Sequence, residues 1–112
     1  MIHYTYEVIK KKRIGFCSAA KEEYKDLPYQ VSEKFEAILI LLEKEGQLRE
    51  PYGKKLTNTG LFEIRVRVQG QWRCLYAYYL EDMILILRIF QKKTQKTPSN
   101  EIKIALQRLK NL

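Results

Sequence analysis

Histidine occurs once in this chain, as His3, and cysteine twice, as Cys17 and Cys74. The two cysteines lie far apart without a CxxC spacing, so thiol and imidazole groups fall short of the four ligands of a structural zinc site. No metal is expected. The cysteines read instead as small buried hydrophobes in a reducing compartment. A second histidine is missing, which removes the paired-imidazole route to RNA cleavage, and no acidic cluster offers two-metal hydrolysis. No glycine-rich loop precedes a lysine at P-loop spacing. Ser18 and Ser32 have no histidine nearby in sequence, which disfavours a nucleophile–base pair. Long apolar runs are absent too: Ile38 to Leu42 falls far short of the roughly 18 residues of a membrane span. Met1-Ile2-His3-Tyr4 lacks the basic-then-apolar order of a secretory signal, so a cytoplasmic location is expected, with no membrane partner.

What the chain has in excess is positive charge. Its 112 residues fit one domain, 1–112, and carry a net charge of +8. Residues 1–60 hold 11 Lys and Arg against 9 Asp and Glu, whereas residues 61–112 hold 10 against 4. So lopsided a basic half attracts polyanions such as nucleic acid, or acidic partners.

Periodicity sets out the elements. Ile2 to Ile9 is rich in β-branched and aromatic residues and reads as a first strand, followed by an exposed basic turn, Lys10 to Arg13, ending near Gly15. Ser18 can cap a short helix through Tyr24, and Pro28 suits the first turn of a second helix. Over Gln30–Glu45 the residues Val31, Phe35, Ile38, Leu39 and Leu42 recur at helical spacing, until Gly46 stops the pattern. Residues 46–60 read as a loop. From Phe62 the period is two: Phe62, Ile64, Val66 and Val68 face one way, Glu63, Arg65, Arg67 and Gln69 the other. Gly70 turns the chain, Trp72 to Leu80 runs back, and Met83 to Phe90 forms a third strand broken by Arg88. Short connections make this an antiparallel meander. Thr97 as N-cap and Pro98 in the first turn begin a last helix, with Ile102, Ala105, Leu106 and Leu109 as its buried stripe. The class is therefore α+β, in the order β-α-α-β-β-β-α, with helices packed on one face of a small, mainly antiparallel sheet.

Cations gather on this scaffold. Arg65 and Arg67 share one strand face, and Arg73 lies on the strand paired with it. Arg88, Lys92, Lys93 and Lys96 follow between Met83 and Pro98 with no acid among them. Beside a helix N-terminus they can form a bowl that holds a phosphodiester and stabilises the charge of a pentacoordinate transition state. Arginine supplies planar bidentate donors there, and lysine a mobile point charge. Exposed cations without a common purpose are the alternative. Tyr76, Tyr78 and Tyr79 either stack on bases or, for Tyr76 and Tyr78 in the parity of Trp72 and Cys74, pack in the core.

The segment Gly60-Leu61-Phe62-Glu63-Ile64-Arg65-Val66-Arg67, with Trp72-Arg73 and Leu75-Tyr76, resembles the central hairpin of the RelE/HigB toxins. Phe90-Gln91-Lys92-Lys93-Thr94-Gln95-Lys96-Thr97-Pro98 with Glu101 is similar to the signature of the phage-derived HigB-like branch. So is Leu48-Arg49-Glu50-Pro51-Tyr52 with Lys54-Lys55-Leu56. The resemblance covers nearly the whole chain. It implies the toxin of a type II toxin–antitoxin pair, a metal- and cofactor-independent endoribonuclease that cleaves mRNA in the ribosomal A site and is held in check by a helix-turn-helix antitoxin. By position it implies catalytic roles for Arg65, Arg73 and Lys93: activation of the 2′-OH by Arg65 or Lys93, and stabilisation of the phosphorane by Arg73. Arg67, Arg88, Lys92 and Lys96 would bind RNA. Two positions depart from the pattern. Arg88 stands where many relatives carry a histidine, and the region of Ser99 lacks the tyrosine that some RelE toxins place in their last helix. Two other readings stay open: a basic RNA- or ribosome-binding module that is catalytically weak, and an interaction protein whose basic face receives an acidic antitoxin segment.

Overall fold

The structure is a computed structural model that describes residues 11–112. The element order is β1 (Arg13–Phe16), α1 (Ser18–Lys25), α2 (Tyr29–Glu45), β2 (Gly53–Leu56), β3 (Leu61–Arg67), β4 (Gln71–Tyr79), β5 (Met83–Lys92) and α3 (Ser99–Lys110). The strands form one sheet in the order β1-β5-β4-β3-β2. Strand β1 runs parallel to β5, and the other pairings are antiparallel. The α+β class and the order of elements read from the sequence are present, with β2 added between α2 and β3.

The expected strand Ile2–Ile9 lies outside the described residues. The basic turn does not extend as far as Gly15: Arg13 already belongs to β1, where its backbone N–H donates to Asp82 O at 2.7 Å. Strand β2 escapes a pattern reading because its four residues, Gly-Lys-Lys-Leu, hold no apolar alternation. Its Gly53 allows close packing, since a Cβ there would sit 2.7 Å from that of Leu48.

The helices do not share one face. Helix α2 lays Val31, Phe35, Ile38, Leu39 and Leu42 on Ile64, Val66, Cys74, Tyr76, Ile84 and Ile86. Helix α3 brings Ile102, Ala105 and Leu109 against Leu61, Leu75, Ala77, Leu85, Leu87 and Phe90, the opposite parity of the same strands. Both faces of β4 and β5 are apolar, so each needs a cover, and burying one such side chain stabilises by about 1.5–3 kcal/mol. Helix α2 ends at Gly46, whose φ of 79° suits a residue without a Cβ. Positive φ at Gln69 and Gly70 turns β3 into β4. Among the described residues no helix is long and apolar enough to cross a membrane.

One irregularity has consequences for charge. Leu75 pairs with Arg88 but Tyr76 with Ile86, so Leu87 is an extra residue in β5. Such a bulge re-aims the side chains beyond it. Under strict alternation Arg88 would follow Ile84 and Ile86 into the α2 core; the bulge turns it to the α3 face.

Candidate nucleic-acid interface

The register of β3 and β4 places Arg65 directly opposite Arg73. Like charges in such a cross-strand pair repel. Glu63, two residues before Arg65 and on the same face, lies between them. Its Oε1 accepts from Arg65 Nε at 3.2 Å and lies 3.8 Å from Arg73 Nε. Its Oε2 accepts from the Thr97 hydroxyl at 2.7 Å. Glu63 and Arg73 are only 3% and 7% exposed, the two buried charged residues among those described. Arg73 donates through Nη1 to Trp72 O at 3.0 Å and through Nη2 to Gln71 Oε1 at 3.3 Å, while its buried Nε has no hydrogen-bond partner.

One carboxylate among these guanidinium groups leaves positive charge in excess. Burial, then the neighbouring Arg65 and Arg67, push the Arg73 guanidinium below its ordinary value, although Glu63 opposes them. Lys92 is lowered as well, by burial and then by Arg73, with Arg65 and Lys54 adding to the effect and Glu63 opposing it. Adding a cation to this place is unfavourable because the site already repels it, and a bound anion relieves that repulsion.

Two hollows open on the cluster. A groove of about 380 Å³ is lined by Lys34, Tyr52, Arg65, Arg67, Gln71 and Arg73, among others. A second hollow, of about 360 Å³, is lined by Gln71, Lys92, Lys93, Thr94 and Gln95. Gln71 belongs to both. Larger hollows lie elsewhere, one beside Cys17 and Arg108 and one between β1, α1 and α2. In the first the cation is Arg108, already paired with Glu23, and in the second Lys21 and Lys25 are matched by Glu36 and Glu43. Charge, and not size, therefore marks the candidate interface.

Of the residues singled out in the sequence, the fold brings together Arg65, Arg67, Arg73, Lys92 and Lys93. Lys92 donates to Gln95 O, which folds the segment after β5 back on itself. Lys96 is exposed on that segment and lines neither hollow; its carbonyl accepts from the Thr94 hydroxyl at 2.7 Å. Arg88 does not join the cluster. Its Nε donates to Glu101 at 2.6 Å and its Nη1 to Glu23, and those two acids raise its pKa against the opposing effect of burial. Nor does Thr97 cap α3: Pro98 holds the N-cap position and the Thr97 hydroxyl is committed to Glu63. Sequence reasoning missed Glu63 and Lys54, cross-strand partners in β2 and β3, and the groove residues Lys34, Tyr52 and Gln71. For Glu63 a signal existed, its parity with Arg65. Lys54 has none, because the four residues of β2 carry no strand pattern. Among the described residues no group of three or more His, Cys, Asp or Glu is placed to hold a metal ion.

The geometry can be set beside known proteins. The free state of a mutant E. coli toxin RelE superposes with a TM-score of 0.69 at 17% identity, covering 88% of this chain and 98% of that one. A toxin–antitoxin complex of Mycobacterium tuberculosis gives 0.58 at 21%, covering 73% and 99%. An archaeal RelE–RelB complex from Pyrococcus horikoshii gives 0.59 at 23%, covering 72% and 94%. No curated protein matches the chain by sequence. The family model of the phage-derived protein Gp49-like matches residues 22–110. The chain has the α+β fold of RelE, and with a family match that runs from α1 to the end of α3 it belongs to the phage-derived Gp49-like family.

Proposed function

We propose that this protein is the toxin of a type II toxin–antitoxin pair, acting in the cytoplasm as an endoribonuclease on mRNA in the ribosomal A site. The observation that carries this reading is the cross-strand pair Arg65–Arg73, held in charge excess beside two cation-lined hollows. A polyanion is the ligand such a surface favours. The family match and the RelE fold support the toxin assignment.

In this reading the RNA chain crosses the face from the Lys92–Lys93 hollow to the groove. Tyr52, about half exposed at the groove, offers a ring for a base. The 2′-oxygen of one nucleotide attacks the adjacent phosphorus and the bond from phosphorus to the 5′-oxygen breaks. The products are a 2′,3′-cyclic phosphate and a 5′-OH. Arg65 or Lys93 stabilises the 2′-oxygen as it gives up its proton to solvent, and Arg73 stabilises the dianionic phosphorane. The departing 5′-oxygen takes its proton from solvent. No metal or organic cofactor has a part in this scheme. The partner that restrains the protein is a helix-turn-helix antitoxin with an acidic segment that covers the basic face.

A second reading has its own observation. Arg88, at the position where the resemblance to the HigB-like branch implies a histidine, is held by two carboxylates. This favours a protein that occupies RNA or the ribosome without cutting.

Expression of the chain alone is expected to arrest growth, and co-expression of its neighbouring gene to restore it. Primer extension on translated mRNA decides between the readings. New 5′ ends that persist in EDTA, at concentrations where ribosomes still translate, support cleavage. Arrest without new ends supports binding alone, and normal growth at high levels of soluble protein counts against both.

A further inference from the structure

We infer that Glu63 is the positioning residue of this site: it sets the spacing of the Arg65–Arg73 pair and ties that pair to the lysine-bearing segment after β5. The inference rests on the proposed cleavage for one of its two readouts and not for the other. Glu63 is too enclosed, at 3% exposure, to reach a ribose hydroxyl as a general base. A buried carboxylate persists only where its charge is matched and its oxygens are bonded. Here both oxygens are engaged, one by Arg65 and one by Thr97.

The asymmetry between the two arginines gives the carboxylate its role. Arg65 is bonded to it, whereas Arg73 Nε stays at 3.8 Å, inside Coulombic reach and outside hydrogen-bond distance. Glu63 therefore offsets the repulsion between the pair without sequestering Arg73 in a bidentate carboxylate bond, so an incoming phosphate has no such bond to break. Thr97 adds the second function. It lies at the end of the segment carrying Lys92, Lys93 and Lys96, and its bond to Glu63 spans 34 positions of sequence. One side chain thus fixes the distance from the arginine pair to the lysine loop. Preorganised donors of this kind act through placement, and loosening them lowers rate more than affinity.

The test uses the full chain and the variants Glu63→Gln, Thr97→Val and Thr97→Ser. Glu63→Gln removes the charge at constant shape, and should bind ribosomes as tightly as the parent or more tightly while its single-turnover cleavage at saturation falls by about tenfold or more. Thr97→Val should lose rate in the same direction, and Thr97→Ser, which keeps the hydroxyl, should restore it. Independently of any cleavage, the arginine Nε–H resonances of both Arg65 and Arg73 should move in Glu63→Gln at unchanged fold, judged by the backbone amide spectrum. Parental cleavage in Glu63→Gln, a loss seen in affinity alone, or Nε–H resonances that stay in place would each overturn the inference. If the parent itself does not cut mRNA, the cleavage reading fails, and the resonances alone decide the role of Glu63. Should Glu63→Gln not fold, Thr97→Val against Thr97→Ser decides it by the same readouts.

Discussion

Around Glu63, one carboxylate meets Arg65 and Arg73, and Lys54 and Lys92 stand close enough to add to the positive potential. Around Glu23, two carboxylates meet two arginines. Glu23 binds Arg88 and Arg108, Glu101 binds Arg88, and the charges balance. The second cluster also closes backbone groups of β5. Arg108 Nη1 donates to Leu87 O at 2.8 Å, and the Ile89 N–H donates to Glu23 Oε1 at 3.0 Å. Strand β1 pairs only as far as Ile86, so these side chains cap the stretch of β5 edge that β1 leaves open. Both clusters are arginine-rich and partly enclosed, and both fasten α3 or the segment leading into it. They differ in stoichiometry. A balanced cluster holds helices to a strand; an unbalanced one is left with charge to spend on an anion.

Four measurements would break or sharpen this contrast. The largest effect is expected from Arg73→Ala set against Arg67→Ala. Each removes one positive charge, so non-specific attraction to RNA should fall alike. Only Arg73 is buried in the pair, and losing a preorganised donor lowers rate by about 10²–10³, roughly 2.7–4 kcal/mol. Equal and small losses of cleavage in the two variants would reduce the unbalanced cluster to a diffuse basic surface.

Next comes Arg88→Ala, which should leave the rate per folded molecule near the parental value. It should lower stability by about 1.5–3 kcal/mol, the usual effect of losing hydrogen bonds to charged groups. Denaturant unfolding with parallel cleavage assays checks this. A variant with parental stability and no cleavage would move Arg88 into the functional site.

A smaller effect concerns acid. Burial raises the pKa of Glu23, but the Arg108 hydrogen bond, the Ile89 N–H and the charges of Arg88 and Arg108 outweigh it, and the net shift is downward. A carboxylate depressed in the folded state contributes stability above its unfolded value, near 4.5. That contribution is lost as pH falls through the folded value. Melting temperature between pH 3 and 6 should therefore drop more steeply for the parent than for Glu23→Gln. Parallel curves would mean that the balanced cluster does not stabilise the fold.

The smallest effect is expected at Lys92. Lys92→Ala should reduce the slope of log affinity for single-stranded RNA against log salt by about 0.7, the value for one phosphate contact. Because the Lys92 pKa is lowered, the parent should also begin to lose RNA affinity on the alkaline side before an ordinary lysine would discharge. That early limb should be missing from the variant. An unchanged salt slope would take Lys92 out of the interface.

Much of this is legible in the sequence alone. Alternation in 62–68 put Arg65 and Arg67 on one face, the short turn at Gly70 forced Arg73 onto the paired strand, and helical spacing in 30–45 marked the residues that α2 buries. These are local properties: a period of two or of 3.6 depends on neighbours a few residues away. The reading failed at three places, each for a non-local reason. Strand β2 is a strand because β3 and Leu48 lie beside it, which four residues with two lysines do not announce. Helix α3 went to the second face because Leu75, Ala77, Leu85 and Leu87 leave that face apolar as well. Arg88 left the expected group because Glu23 in α1 and Glu101 in α3, brought to it by packing, hold its guanidinium.

By itself, then, the sequence determined the excess of cations, their strand parity and the class of fold, since composition and period are written residue by residue. Only the tertiary structure decided which arginines are left in charge excess. Arg88 and Arg108 meet Glu23 across 65 and 85 positions of chain, and Glu63 meets Thr97 across 34. Which carboxylate neutralises which guanidinium depends on how distant elements pack, and no local pattern encodes that distance.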